Sequence, residues 1–130
     1  LGEKRPPVLS PTQIDEIGMC ARFGEEIGKQ STAELKRKAL DQPKADQLNR
    51  YLAENWEDFA GQLRKVMLPT ERLEDAMQAI GAPQTGRDLG FPQGFYREIV
   101  LHSREVRDRF TMLDVAADAG LLEGFAGECR

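Results

Sequence analysis

The residue types best suited to chemistry gather in one stretch, Leu101-His102-Ser103-Arg104-Glu105-Val106-Arg107-Asp108-Arg109. Guanidinium groups at Arg104, Arg107 and Arg109 offer planar forks that suit a phosphate or a carboxylate. Glu105 and Asp108, interleaved with them, favour a plainer reading: local ion pairs around a helix junction. Under it Arg107 and Arg109 tie the preceding helix to the last one. His102 is the single histidine of the chain, and its ordinary titration near neutrality makes it a candidate substrate contact. A lone helical histidine is more often a hydrogen-bonded structural residue, and that reading is preferred. His102, Arg107 and Arg109 are therefore candidates for either a substrate-phosphate contact or a structural tie, and no residue is assigned as catalytic, cofactor-binding or metal-ligating.

Other signatures are missing from the sequence. There is no Gly-x-Gly-x-x-Gly after a strand, no Walker loop and no Gly-x-Ser-x-Gly. One histidine and two distant cysteines, Cys20 and Cys129, do not supply the ligands of a closed zinc or iron site. With 18 Lys and Arg against 22 Asp and Glu, the net charge of −4 opposes a sequence-independent attraction to phosphate backbones, so nucleic acid is not an expected partner. The cysteines have no C-x-x-C spacing and no signal peptide is visible, which predicts a reduced, cytoplasmic chain. No run of 18 apolar residues exists to span a membrane.

The elements that must position these residues are helices. Between Pro43 and Pro69, Leu48, Leu52, Trp56, Phe59, Leu63 and Val66 recur at the period of an α-helix, which predicts one long amphipathic helix over 44–67 on which the others pack. Gly61 inside it reads either as a close crossing by another backbone or as simple tolerance. Ser10-Pro11-Thr12-Gln13 is a helix-start signal, predicting a helix to Arg22 with Ile14, Ile17 and Ala21 inward. Residues 25–40 read as a second helix, weakened by Gly28 and Ser31-Thr32. Thr70 caps a helix over 71–80 with Leu73, Ala76, Met77 and Ile80 on one face, stopped by Gly81. Residues 81–90 read as loop. A helix from Pro92 to Arg107 is expected to send Phe95, Tyr96, Ile99, Val100, Ser103 and Val106 to the core. Thr111-x-x-Asp114 is a capping-box variant opening a last helix with Leu113, Ala116 and Ala117 inward, closed by Gly120. Leu121, Leu122 and Phe125 fold back after it, and 123–130 otherwise reads as frayed. Nothing alternates at period two, so the expected class is all-α: a single helical bundle of about six helices, with 1–9 an extended linker and 10–130 the domain.

Several runs taken together resemble a known family. They are Ala82-Pro83-Gln84-Thr85, Phe95-Tyr96-Arg97-Glu98-Ile99-Val100-Leu101, Arg107-x-Arg109-Phe110-Thr111 through Asp114, and Ala116-Ala117-Asp118-Ala119-Gly120-Leu121-Leu122. Phe23-Gly24-Glu25-Glu26-Ile27-Gly28, Lys38-Ala39-Leu40-Asp41, Trp56 and Leu68-Pro69 extend the likeness over nearly the whole chain. The chain resembles the C-terminal end of bacterial glycerol-1-phosphate dehydrogenases, within the metal-dependent polyol dehydrogenases and dehydroquinate synthases.

The resemblance implies a dehydroquinate synthase-like C-terminal α domain whose parent carries an upstream nucleotide-binding domain for NAD or NADP. It also implies a divalent metal (Zn, Ni or Fe), held by one Asp and two His, that polarises the substrate oxygen during hydride transfer. In that family the last histidine ligand lies in a His-Gly motif, and this chain has none. The start at Leu1-Gly2, without an initiator methionine, fits a piece of a longer polypeptide. The expected function is then a structural half of the active-site cleft, inactive alone and without cofactor of its own, with the upstream domain and a homo-oligomer as expected partners. The alternative is a free-standing helical protein-interaction module. A helix-turn-helix nucleic-acid binder is disfavoured by the charge.

Overall fold

The computed structural model describes residues 5–92 and 94–128, and among these it forms seven α-helices and one 3-10 turn, with no strand. The helices are α1 (Glu16–Phe23), α2 (Glu25–Lys38), α3 (Gln42–Val66), α4 (Thr70–Ala79), α5 (Phe95–His102), α6 (Met112–Asp118) and α7 (Leu122–Glu128), with the 3-10 turn at Ser103–Val106. The chain is all-α, as the periodicities predict. Its last helix corrects the expectation of a frayed end over 123–128, with 129–130 outside the described residues: Leu122 and Ala126, four positions apart, are both buried and seat α7 against α5 and α6.

The element on which others gather is α2 rather than α3. α1 and the 3-10 turn both pack on α2, α5 joins the turn and α7, and α6 lies on α7. The reason lies in residue size. α2 turns Gly28, Ser31, Thr32 and Leu35 inward, all buried, and the small ones let α1 come so close that a Cβ on Gly28 would sit 2.5 Å from the Cys20 Cα. Met19 fills the remaining space at 1% exposure, and the Thr32 hydroxyl donates to the Gly28 carbonyl at 2.8 Å, so the buried oxygen is satisfied. The residues that weaken the helix in isolation are the ones that make its contact.

α3 begins two residues before the expected 44, at Gln42, with Asp41 accepting from the Lys44 N–H at 2.9 Å and Pro43 in the first turn. Its helical backbone breaks at Asn55, where φ is −123° and ψ 15°. The expectation that the other helices pack on it is overturned: among the described residues the close helix pairings involve neither α3 nor α4. Of the stripe, Leu52 is buried, Leu48, Trp56, Phe59 and Leu63 are half-buried, and Val66 is exposed. What α3 does hold is the N-terminal segment. The Asn49 side chain donates to the Leu9 carbonyl and accepts from the Leu9 N–H, each at 2.8 Å, and Leu9 is 3% exposed. Leu9 therefore packs into the body, at the inner end of the expected linker.

The second glycine inside a helix behaves differently from Gly28. A Cβ on Gly61 meets no atom of the described residues within 4 Å, so tolerance is favoured over a close crossing. Gly61→Ala is expected to stabilise the fold by about 0.5–1 kcal/mol. A urea midpoint that falls in the alanine variant would show that something does press on that face.

Two further expectations are corrected. α1 starts at Glu16, capped by Asp15 through the Gly18 N–H at 2.9 Å, and not at Ser10. The proline-bearing start signal loses to tertiary bonds: Thr12 N–H donates to the Leu40 carbonyl, Leu40 N–H to the Thr12 hydroxyl, and Ser10 N–H to the Asp118 carbonyl, all within 2.9 Å. Of the residues expected inward, Ile14 is half-buried and Ile17 and Ala21 are exposed. The outer surfaces of α4 and α5 are the other case. Leu73 and Met77 on α4, Ile80 at its C-terminal cap, and Phe95, Tyr96 and Ile99 on α5 are exposed, as is Val106 in the turn, and α4 has no buried residue.

Candidate functional site

The best-buried charges lie where α2 ends, beneath the Arg104–Arg109 stretch. Lys38 Nζ approaches Asp114 to 2.8 Å, with side-chain exposures of 3% and 2%. The ammonium also donates to the Arg104 carbonyl at 2.7 Å and to the Arg109 carbonyl at 3.2 Å, which uses its three protons. Arg104 Nη1 reaches Asp114 at 3.2 Å. Asp114 in turn accepts from the Thr111 N–H at 2.7 Å and the Thr111 hydroxyl at 2.9 Å, so the capping box legible in the sequence forms and doubles as the seat of an ion pair. One turn further on, buried Asp118 accepts from the Thr12 hydroxyl at 2.8 Å and so joins α6 to the N-terminal segment. Among the described residues no buried side-chain nitrogen or oxygen lacks a partner.

The two carboxylates titrate in opposite directions. Burial alone would raise Asp114, but hydrogen bonds from Lys38 and Thr111 outweigh it and hold the group below its ordinary 3.8. Burial pushes Asp118 above 3.8, helped by repulsion from Asp114 and opposed by the Thr12 hydroxyl, Arg104 and Lys38. A folded-state value raised above the unfolded one means that stability is lost as pH climbs through it, so the Asp118 charge is a cost at neutrality. Asp114 has the other sign, stabilising above 3.8 and losing that contribution as pH falls through its lowered value. Asp118→Asn is therefore expected to be more stable than the parent at neutral pH, with the advantage vanishing below 3.8. Urea melts across that range are the check, and a less stable variant at neutrality would show that attraction to Arg104 and Lys38 prevails.

His102 has a carboxylate near each ring nitrogen. Its Nδ1 lies 2.8 Å from Glu105, which Arg22 grips from α1 with both carboxylate oxygens within 3.0 Å, and its Nε2 is 3.5 Å from Glu98. Arg107 and Arg109 do not join this network. Their side chains are exposed and have no ion pair or hydrogen bond among the described residues; the tie expected of them is made by Lys38 and Arg104, with Arg109 contributing only its carbonyl. They line an open groove of about 470 Å³ whose far wall is α2, at Gln30, Glu34 and Arg37. A smaller pocket of about 180 Å³ adjoins Arg104 and Asp118 beneath Ser10 and Pro11.

No family model, curated protein or solved structure matches this chain.

The described residues contain no group of three His, Cys, Asp or Glu side chains placed to hold a metal ion, and Cys129 lies outside them. The donor set present thus does not fit the metal that the resemblance implies for the parent. Among the described residues no helix is long and apolar enough to cross a membrane. The sequence reading missed Lys38 and Asp114 as partners. Both were visible, one in a basic helix end and the other in a capping box, but nothing local pairs positions 76 residues apart.

Proposed function

We propose that this chain is the C-terminal helical domain of an NAD(P)- and metal-dependent glycerol-1-phosphate dehydrogenase, where it forms one wall of the active-site cleft and has no activity alone. The observation that carries the reading is α4. A ten-residue helix of which every residue is exposed is marginal in water by itself, since isolated helices shorter than about 12–15 residues rarely persist. Val66, Met67 and Leu68, directly before it in the chain, are exposed as well, and so are Phe91, Phe95 and Tyr96. Apolar exposure on this scale marks surface meant to be covered. The Arg107-x-Arg109-Phe110-Thr111 resemblance suggests what covers it: the nucleotide-binding domain of the same polypeptide, or a second copy in a homo-oligomer. Nicotinamide and metal would then be held upstream, and this domain supplies shape and exclusion of water.

The test is NAD(P)-dependent oxidation of glycerol-1-phosphate by the complete gene product, supplied in turn with zinc, nickel and iron, beside the 130-residue chain. Turnover in the first and none in the second is the expected result. No turnover with any metal, or a reading frame that opens at Leu1, would overturn it in favour of the interaction module.

A further inference from the structure

We infer that the cleft between the first turns of α3 and helix α6 is a recognition site for an extended peptide carrying a leucine and, three residues on, a threonine, and that the chain's own Leu9–Thr12 segment is its displaceable occupant. Neither the dehydrogenase reading nor any cofactor enters it. The apex of the cleft is fixed by buried chemistry: Lys38, at the end of α2, is paired with Asp114 on α6, and α3 starts shortly after it at Gln42. From there α3 and α6 make no close pairing among the described residues, and the segment bridges them.

The segment is read through its backbone. Residues 6–15 form no helix or strand, and Val8 and Ser10 are exposed on either side of buried Leu9. The Asn49 amide on α3 takes both backbone groups of Leu9, accepting from its N–H and donating to its carbonyl at 2.8 Å each. The backbone carbonyl of Asp118 accepts from the Ser10 N–H at 2.8 Å, and that of Leu40 from the Thr12 N–H at 2.9 Å. Pro11 has no N–H to place. Backbone bonds of this kind give affinity, and side-chain pockets give specificity. Leu9, 3% exposed, is the apolar anchor. The Thr12 hydroxyl works in both directions, accepting from the Leu40 N–H at 2.9 Å and donating to the Asp118 carboxylate at 2.8 Å, a pairing that valine at the same place does not make. The occupant also leaves the cleft partly empty. About 180 Å³ remains between Ser10, Pro11 and Gln13 on one side and Arg104, Ala117 and Asp118 on the other.

Displacement leaves the helices intact. Beyond Thr12 the chain runs through Gln13 and Ile14 before Asp15 caps α1, so the segment lifts away without unwinding a turn. Opening it gives up its own contacts alone, whereas the amides of α2 are released with the fold as a whole. A tethered occupant competes at an effective concentration on the order of millimolar, which hides the site from an outside peptide until the side chains of the tether are weakened.

The probe is a fluorescent synthetic peptide with the sequence of residues 5–14, titrated by anisotropy into the full chain and into the full chain bearing Leu9→Ala with Thr12→Val, which loosens the occupant and leaves Asn49, Leu40 and Asp118 in place. Saturable one-to-one binding to the double variant is expected, at least about tenfold tighter than to the parent, with a rise in melting temperature on saturation. A peptide carrying Leu9→Asp should bind at least about tenfold more weakly, and Asn49→Ala added to the double variant should have the same effect. No saturable binding to the double variant, or equal binding to it and to the parent, would overturn the assignment. Hydrogen exchange on the parent covers a double variant that fails to fold: the N–H groups of Leu9, Ser10 and Thr12 should exchange at least about tenfold faster than those of Thr32 and Leu35 in α2. Equal rates would show that the segment opens only with global unfolding, as part of the core, and would overturn it too.

Discussion

Asp114→Ala is expected to lower stability by about 3–5 kcal/mol, the usual cost of removing one partner from a buried ion pair. The deletion strands Lys38, whose side chain is 3% exposed and whose remaining partners are two carbonyls. It also removes the acceptor that closes the first turn of α6 through Thr111, and leaves Arg104 without its carboxylate. Against a typical total of about 5–15 kcal/mol such a loss is a large fraction of the fold. Urea melts followed by circular dichroism measure it. Pairing the change with Lys38→Met should cost much less than the sum of the two single variants, because the stranded charge is then gone. Additive losses, or a single-variant loss under about 1 kcal/mol, would mean that water reaches the pair.

Gly28→Ala should destabilise by about 2–3 kcal/mol, near the top of the usual over-packing range, even after helix propensity returns about 1 kcal/mol. The added carbon would lie 2.5 Å from the Cys20 Cα, 2.6 Å from its backbone nitrogen and 2.9 Å from its sulfur. Two of these atoms are backbone, so no rotamer change relieves the contact and α1 must move as a unit. That displacement reaches Arg22 on the same helix and so loosens its grip on Glu105. The thermal midpoint of the variant is the direct reading. A gain in stability would mean that α1 rides further from α2 than the structure places it.

Local signals carry well into the structure wherever the stabilising partner is itself local. The Thr111 to Asp114 capping box and the left-handed Gly81 after α4 (φ 67°) both form as read, because each joins residues within one turn of helix. The all-α class follows from periodicity for the same reason. Gly28 and Gly61 show where such signals end: each sits inside a helix, yet a Cβ strikes the Cys20 backbone at one and meets nothing at the other. Ser10-Pro11 shows it again, since a good helix start was surrendered to bonds with Leu40 and Asp118 that no local pattern encodes. In the candidate site, the arginines that form the groove were legible as residues, but which of them stays free was not. Sequence determined that Arg104, Arg107 and Arg109 would stand together; only the tertiary structure, by burying Lys38 against Asp114 and drawing Arg104 to the same carboxylate, decided that Arg107 and Arg109 face solvent with no carboxylate of their own.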